Sequence, residues 1–500
     1  MSGFRTLHRI TNDNDGDSST DSPVWRVKFS PCRSSPSQSS SLRLLAAGAS
    51  NTIKCYSLSD RSEKDVNSND VLDASAMNVT CTESLLSRDD YEQKNNSASN
   101  NNTAVLGYAA LDVVRNYCGA DDTAGNEVVM ASKLGGHVCV WVRLDPVLKE
   151  KGVVVAEDIS NGDESSNNCG GESSSSSTTI QQCRKPYAEF KVPTATGTTL
   201  AIRPPLLGNY YSKKETEILV ALGCANGAVV ICKSGILASR PGDNGITRST
   251  SSSGGGGGGA VVGDTGGEDT VVMNFTSFHN KEDDNNSNSA PPGEIIATVG
   301  GGHACVMSLA WHPTIPNTFV VGRKDGIVDI YSAHTTSDDY YYGHEGLNFR
   351  RVHRLVHSSF PIRALSYSMP EGELLFAGDD DGKLYSYDAS LALSETSESF
   401  NVASPVKLVA CALAAHKGWI MNLCAFPDGN RVATCGSDKS VRVWDCGMGL
   451  ASGTPVHSFD GANEGWVWGV DCSSGAAGSA RLKLVGCGND GSMQVFSCSE

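Results

Sequence analysis

The sequence has no run of about 18 apolar residues, so nothing in it reads as a membrane-spanning helix. Its first twenty residues are polar and carry no hydrophobic signal core, which leads to the expectation of an intracellular protein. It also lacks a surplus of basic charge. The formal net charge is −16 over 500 residues, whereas binding phosphate or a membrane surface needs a concentrated basic footprint. The 17 cysteines include no C-x-x-C pair, and their number is odd. A disulfide framework suits small secreted domains, and a zinc centre needs four clustered ligands. The cysteines are therefore read as reduced thiols used as small core filler, with no metal and no cofactor implied. Gly-x-Ser-x-Gly elbows and His-Glu-x-x-His helices are missing too, which removes the commonest hydrolase signatures.

No long segment with a 3.6-residue apolar period is present. What is present is a series of short apolar runs bounded by Gly, Asp, Asn and Pro, the pattern of β-strands. Examples are Val24 to Phe29, Leu44 to Ala47, Ile53 to Tyr56, Val306 to Trp311, Leu374 to Ala377 and Val441 to Trp444. Three polar stretches interrupt the series, at 60–103, 155–182 and 238–292; the last contains six consecutive glycines, Gly254 to Gly259. Such compositions bury too little apolar surface to offset chain entropy and are expected to be disordered insertions. The glycine run lacks the Lys-Ser or Lys-Thr of a phosphate loop and reads as a linker.

One frame recurs seven times. Its clearest copy is Cys435-Gly-Ser-Asp-Lys-Ser-Val-Arg-Val-Trp444-Asp445, in which Asp438 stands six places before Trp444. The frame returns at Asp325 to Tyr331, Asp381 to Tyr387 and Asp490 to Phe496, and in weaker form at Ser50 to Tyr56, Gly135 to Trp141 and Asn226 to Cys232. Each long step between copies contains one insertion, and removing it brings the period toward the roughly 40–50 residues of a four-stranded propeller blade. The expected architecture is all-β: one seven-bladed propeller spanning 1–500. The last frame ends four residues before Glu500, so the outer strand of the last blade must come from elsewhere. Phe4 to Ile10 is the expected donor, closing the ring and removing exposed sheet edges.

These residues carry a resemblance to WD repeats. Trp444-Asp445 is a literal WD dipeptide, and the resemblance implies that His416, Thr434 and Asp438 complete a buried hydrogen-bonded group with Trp444. Corresponding sets are expected at His303, Asp325 and Tyr331, and at His357, Asp381 and Tyr387; the last copy offers Asp490 and Phe496. These histidines read as structural, because each belongs to a different copy. The run Asp379-Asp380-Asp381 before Gly382 reads as a tight turn rather than a metal or acid–base site.

Within the WD repeats, residues 290–500 resemble the small WD-repeat subunit shared by the superkiller complex and the RNA polymerase-associated factor complex. The residues concerned are Pro361-Ile-Arg-Ala-Leu365, Gly378-Asp-Asp-Asp-Gly382, Trp419-Ile-Met-Asn-Leu423, Asp438 to Asp445 and Val467-Trp-Gly-Val470. Residues 1–235 agree only in layout. The resemblance implies a non-catalytic scaffold, cytoplasmic and nuclear. It would bind a helical-repeat protein and a helicase in 3′-to-5′ messenger RNA decay with the exosome, and would serve a transcription-elongation complex. Other WD-repeat adaptors, of chromatin-modifying or ubiquitin-ligase assemblies, share the same fold. A propeller enzyme would need carboxylates or histidines at one mouth of its channel. The strand starts instead place Trp25, Met307, Arg363, Met421 and Trp468 in one register, with Trp419 and Trp466 beside it. Trp and Arg are the residue types that binding hot spots favour, so these seven are the candidate partner-binding set, with packing between blades as the competing reading.

Overall fold

A computed structural model describes residues 4–10, 22–30, 42–60, 77–90, 107–117, 125–144, 153–155, 182–204, 216–238, 271–273, 292–315, 317–334, 347–390, 406–473 and 482–498. Short strands rich in Val, Ile, Leu and aromatics pair into seven antiparallel sheets. From innermost to outermost, blade 1 is Val24–Phe29, Leu42–Gly48, Thr52–Asp60 and Met77–Leu86. Blade 2 is Tyr108–Tyr117, Gly125–Lys133, His137–Leu144 and Ala188–Lys191; blade 3 is Ala195–Ile202, Thr216–Cys224, Ala228–Ala238 and Ile295–Gly300. Blade 4 is Val306–Trp311, Thr318–Arg323, Val328–His334 and Asn348–Leu355; blade 5 is Ile362–Tyr367, Leu374–Asp379, Leu384–Asp388 and Lys407–Ala412. Blade 6 is Ile420–Ala425, Arg431–Gly436, Val441–Asp445 and His457–Phe459. Blade 7 takes Val467–Cys472, Lys483–Gly488 and Met493–Cys498 from the C-terminal end and its outer strand, Phe4–Ile10, from the N-terminal end.

The chain is thus a seven-bladed β-propeller closed by its two ends. Phe4–Ile10 runs antiparallel to Met493–Cys498, with Phe4 opposite Cys498 and Ile10 opposite Met493. Ile10 then packs with Val24 and Val27 of blade 1 and with Val485 and Val495 of blade 7, so closure buries apolar surface as well as pairing backbone. Each of these side chains contributes about 2 kcal/mol by leaving water.

The seven-copy frame maps onto the blades one to one. Its terminal residues Tyr56, Trp141, Cys232, Tyr331, Tyr387, Trp444 and Phe496 all lie on third strands, and all are buried. They pack across blade boundaries: Phe496 sits with Val441, Val443 and Val467, and Trp444 with Phe376, Leu384 and Ile420.

The stretch 60–103 requires a correction. It contains the outer strand of blade 1, Met77–Leu86, in which Met77 and Leu85 are buried and Asn78 and Thr80 are exposed. Period-2 alternation survives there inside a composition dominated by Ser, Asn and Asp. Gln182–Arg184 adds a fifth, parallel strand to this blade, and Arg184 pairs with Glu83 at 3.2 Å. The short strands Val153–Val155 and Val271–Met273 pair in parallel. Apart from residues 87–90 and the stretch-end residues 60, 238 and 292, the rest of the three stretches, with Gly254 to Gly259, lies outside the described residues. Every cysteine whose side chain is described is a free thiol.

Candidate functional site: one mouth of the central channel

The seven inner strands surround a channel of about 560 Å³. Their starts share one irregularity. Ladder pairing slips between the first and third residue of the strand in blades 1, 2, 4, 5, 6 and 7, at Val24/Arg26, Tyr108/Ala110, Val306/Ser308, Ile362/Ala364, Ile420/Asn422 and Val467/Gly469. A β-bulge of this kind re-aims the extra side chain. The extra residues are Trp25, Ala109, Met307, Arg363, Met421 and Trp468, so the register residues of the sequence stand on a ring of bulges at one mouth.

The structure joins four of the seven candidates into a continuous arc. The Arg363 guanidinium lies 4.8 Å from the ring centre of Trp419. Trp419 meets Trp466 edge-on at 5.5 Å, and Trp466 meets Trp468 at 5.7 Å. Arg363 is fixed from below by a two-pronged pair with Asp380, at 2.5 and 2.9 Å. Trp419 is held by mutual hydrogen bonds with Ser437, and the Trp466 carbonyl accepts from the Asn489 amide. The two outer tryptophans remain 38% and 41% exposed, so a guanidinium and two rigid indole faces are presented to solvent. Trp25 is half-buried, its carbonyl accepting from Arg26, which also donates to the Trp468 carbonyl and so ties blade 1 to blade 7. Met307 lines the channel. Met421 departs from expectation: only 4% exposed, it packs with Val467 and Val470 between blades 6 and 7, because an unbranched side chain fills that gap.

Four residues further along the inner strands the channel is ionic. Lys28 sits 3.8 Å from both Asp112 and Asp471. Asp471 is the larger influence holding the Lys28 ammonium above its ordinary range. Each carboxylate also takes a backbone amide from the next blade, Asp471 from Phe29 and Asp112 from Ile202. These charges act as bolts between blades.

The expected polar groups behind the mouth differ from blade to blade. In blade 6 the four residues meet. Trp444 Nε1–H donates to Thr434 Oγ1 at 2.9 Å, Thr434 Oγ1 lies 2.8 Å from His416 Nε2, and His416 Nδ1 lies 2.9 Å from Asp438. Indole can only donate, so Thr434 turns its proton to Nε2, and the proton of the neutral imidazole faces Asp438. Burial keeps His416 below its ordinary pKa. Burial alone would raise the Asp438 carboxyl, but hydrogen bonds from His416, Ser440 and the Lys417 amide hold it well below the usual range.

Blade 5 does not follow this plan. Asp381 is exposed and pairs with Lys383 at 2.8 Å. The buried carboxylate is Asp379, which accepts from Ser358 Oγ at 2.7 Å, from Tyr385 Oη at 3.1 Å and from the amides of Asp381 and Lys383. His357 lends its carbonyl to Tyr385 and its ring to Tyr387. The three aspartates therefore have separate tasks: Asp379 is a buried acceptor that caps the turn, Asp380 clamps Arg363, and Asp381 pairs with Lys383 at the surface.

Blade 4 departs further. Arg323, fully buried, donates to Asp329 at 3.0 Å, to Tyr331 Oη at 3.1 Å and to the Gly227 carbonyl of blade 3. Arg354 adds two bonds to Asp329. Asp325 serves only its own turn, accepting from Ile327, and His303 reaches Arg354 at 3.5 Å. In blade 7 Asn463 occupies the histidine position and donates to Asp490 and Ser492, with Phe496 buried behind them. Asn463, Arg323 and Asp329 went unnoticed in sequence, where no local motif marks them, and Asp379 was read there only as part of a tight turn.

A family model, the WD domain, G-beta repeat, matches residues 407–445, from the outer strand of blade 5 to the end of the third strand of blade 6. That stretch holds the complete His416, Thr434, Asp438 and Trp444 group. Among curated proteins, actin-interacting protein 1 of Drosophila melanogaster is 28% identical over 153 residues, which is 30% of this chain. The match spans 21% of that relative's own length. Fold and blade chemistry together define a seven-bladed propeller carrying a WD40 repeat. Propellers of this kind serve generally as scaffolds that bind other proteins.

Proposed function

We propose that this chain is a non-catalytic scaffold subunit of a superkiller-type assembly, and that its aromatic mouth receives a segment of a partner protein. One observation carries the reading. Four of the five segments that resemble the family in sequence supply three of the arc's four residues and the clamp beneath it. Pro361 to Leu365, Trp419 to Leu423 and Val467 to Val470 supply Arg363, Trp419 and Trp468, and Gly378 to Gly382 supplies the Asp380 clamp. The expected partners are a helical-repeat protein and a helicase, acting in cytoplasmic 3′-to-5′ messenger RNA decay with the exosome. A nuclear role beside elongating polymerase belongs to the same reading.

Affinity purification of the tagged chain from its own cells, with mass spectrometry, tests the assignment. Recovery of both partners together supports it. Recovery of only histone-modifying or ubiquitin-ligase subunits sinks the specific role and leaves an adaptor of another assembly. The partial match to actin-interacting protein 1 gives a second reading, actin binding, which co-sedimentation with filaments decides.

A further inference from the structure

Blade 2 carries a cluster of donors on the side of the ring away from the aromatic arc. His137 opens its third strand, and Cys139 follows two residues later on the same face. Glu189, on the outer strand, stands directly opposite Cys139 in the antiparallel ladder, as Lys191 does opposite His137. The ligand atoms of His137, Cys139 and Glu189 all lie within 4.8 Å of one another. His137 Nε2 is 3.8 Å from Glu189 Oε2, and Cys139 Sγ is 3.4 Å from Glu189 Oε1. Around a tetrahedral zinc ion, with bonds of about 2.0–2.3 Å, neighbouring donors stand roughly 3.3–3.8 Å apart. Taken one atom per residue, the three donors stand within about 1 Å of that spacing, a gap that small side-chain rotations close.

We propose that His137, Cys139 and Glu189 form a three-donor site, open to one solvent ligand, for a divalent transition ion of the zinc type. One thiolate and one carboxylate neutralise a dication, so the ion enters a half-buried position without net charge. Imidazole, thiolate and carboxylate together select zinc over magnesium or calcium, which take oxygen donors. The supporting groups are in place. The Arg88 amide donates to Glu189 Oε1 at 2.7 Å and orients the carboxylate. The neighbouring Lys133 ammonium is neutralised by Asp90 at 2.7 Å, so it does not compete for Glu189. The Cys139 end is fully buried, whereas the His137 side chain is 31% exposed and gives the ion its path in and its fourth, solvent ligand. Bound there, the ion cross-links the outer two strands of blade 2, and through Arg88 it ties them to the segment arriving from blade 1. The sequence hides the site, because His137-x-Cys139 is separated from Glu189 by fifty residues of chain that include one of the polar stretches.

Cobalt(II) titration of the full-length chain tests this. The expected result is saturation at one equivalent, with a near-ultraviolet thiolate-to-cobalt band and visible bands of tetrahedral intensity. Cys139→Ser removes the near-ultraviolet band. His137→Gln and Glu189→Gln weaken binding by at least about tenfold, the smaller end of what losing even a supporting group costs a metal site. Zinc raises the melting temperature of the native chain and not that of His137→Gln. If Cys139→Ser does not fold, His137→Gln, on the rim, gives the reading. A native chain without the one-equivalent band, or a band unchanged in the variants, overturns the site.

Discussion

Blades 6 and 7 and blades 4 and 5 solve the same packing problem in opposite ways. In blades 5, 6 and 7 two positions face each other behind the inner-strand start: the end of the second strand, and the residue four places before the start. In blades 6 and 7 the strand ends in Gly436 and Gly488, and the preceding turn supplies the larger His416 and Asn463. A Cβ on Gly436 would fall 2.6 Å from His416 Nδ1, and one on Gly488 would fall 2.4 Å from Asn463 Nδ2. In blade 4 the end residue, Arg323, reaches across to the Gly227 carbonyl of blade 3, and in blade 5 the strand ends in Asp379 while the turn supplies only Ser358, which donates to it at 2.7 Å. The space admits one large polar side chain, from either side. The frame and its buried aromatic are held by packing, whereas the hydrogen-bonding group changes identity and origin from blade to blade.

The largest test of this contrast lies in blade 4. Asp329→Asn leaves Arg323 buried without its counter-charge and is expected to cost about 3–5 kcal/mol, read by urea unfolding. Next comes acid. Burial lowers the pKa of His312, at the far end of the same blade's inner strand, to about 4, while its Nδ1 accepts the Ile315 amide at 2.9 Å. A depressed pKa means that the unfolded chain takes the proton first. Stability is therefore full above about pH 6.5 and falls by roughly 3 kcal/mol by pH 4. His416 and Asp438, both depressed, act in the same direction. Replacing His312 with Asn should flatten the slope of stability against pH between 6.5 and 4; an unchanged slope would place the acid sensitivity elsewhere.

Exchange between the two designs is a finer test. Gly436→Ala is expected to cost about 2 kcal/mol by overpacking against the fixed imidazole. Adding His416→Ser, the arrangement of blade 5, should recover part of the clash, giving a coupling of about 1 kcal/mol in a double-mutant cycle. Strict additivity would refute the shared space. The smallest effect, about 1–2 kcal/mol, is expected for Thr434→Val, which keeps the shape but leaves Trp444 Nε1–H and His416 Nε2 without their common partner.

Much of this fold was legible in the sequence because packing writes it there. Seven buried third-strand residues recur at one place in a frame, and the bulge residues recur at the second place of six of the seven inner strands. The donor strand Phe4–Ile10 was legible too, since the last copy ended without an outer strand. The polar groups were not, because their membership is decided across strands and blades. Asp379 and Asp381 look alike in a run of three, yet Asp379 ends a strand and turns in to Ser358 and Tyr385 while Asp381 stands on the exposed turn. Met421 shares its register with Trp468, yet the gap between blades 6 and 7 takes it in. Met77–Leu86 was lost in its composition.

The account rests most heavily on the arc formed by Arg363, Trp419, Trp466 and Trp468. Its direct test is recovery of the helical-repeat protein and helicase by the tagged native chain and by the Trp419→Ala/Trp466→Ala variant, with thermal unfolding of both. Both tryptophans are surface-exposed, so the fold should survive while recovery falls by about 30-fold, as expected for losing about 2 kcal/mol at a hot spot. Equal recovery by the variant would contradict the proposal that this mouth is the binding face, and recovery of neither partner by the native chain would contradict the proposed assembly.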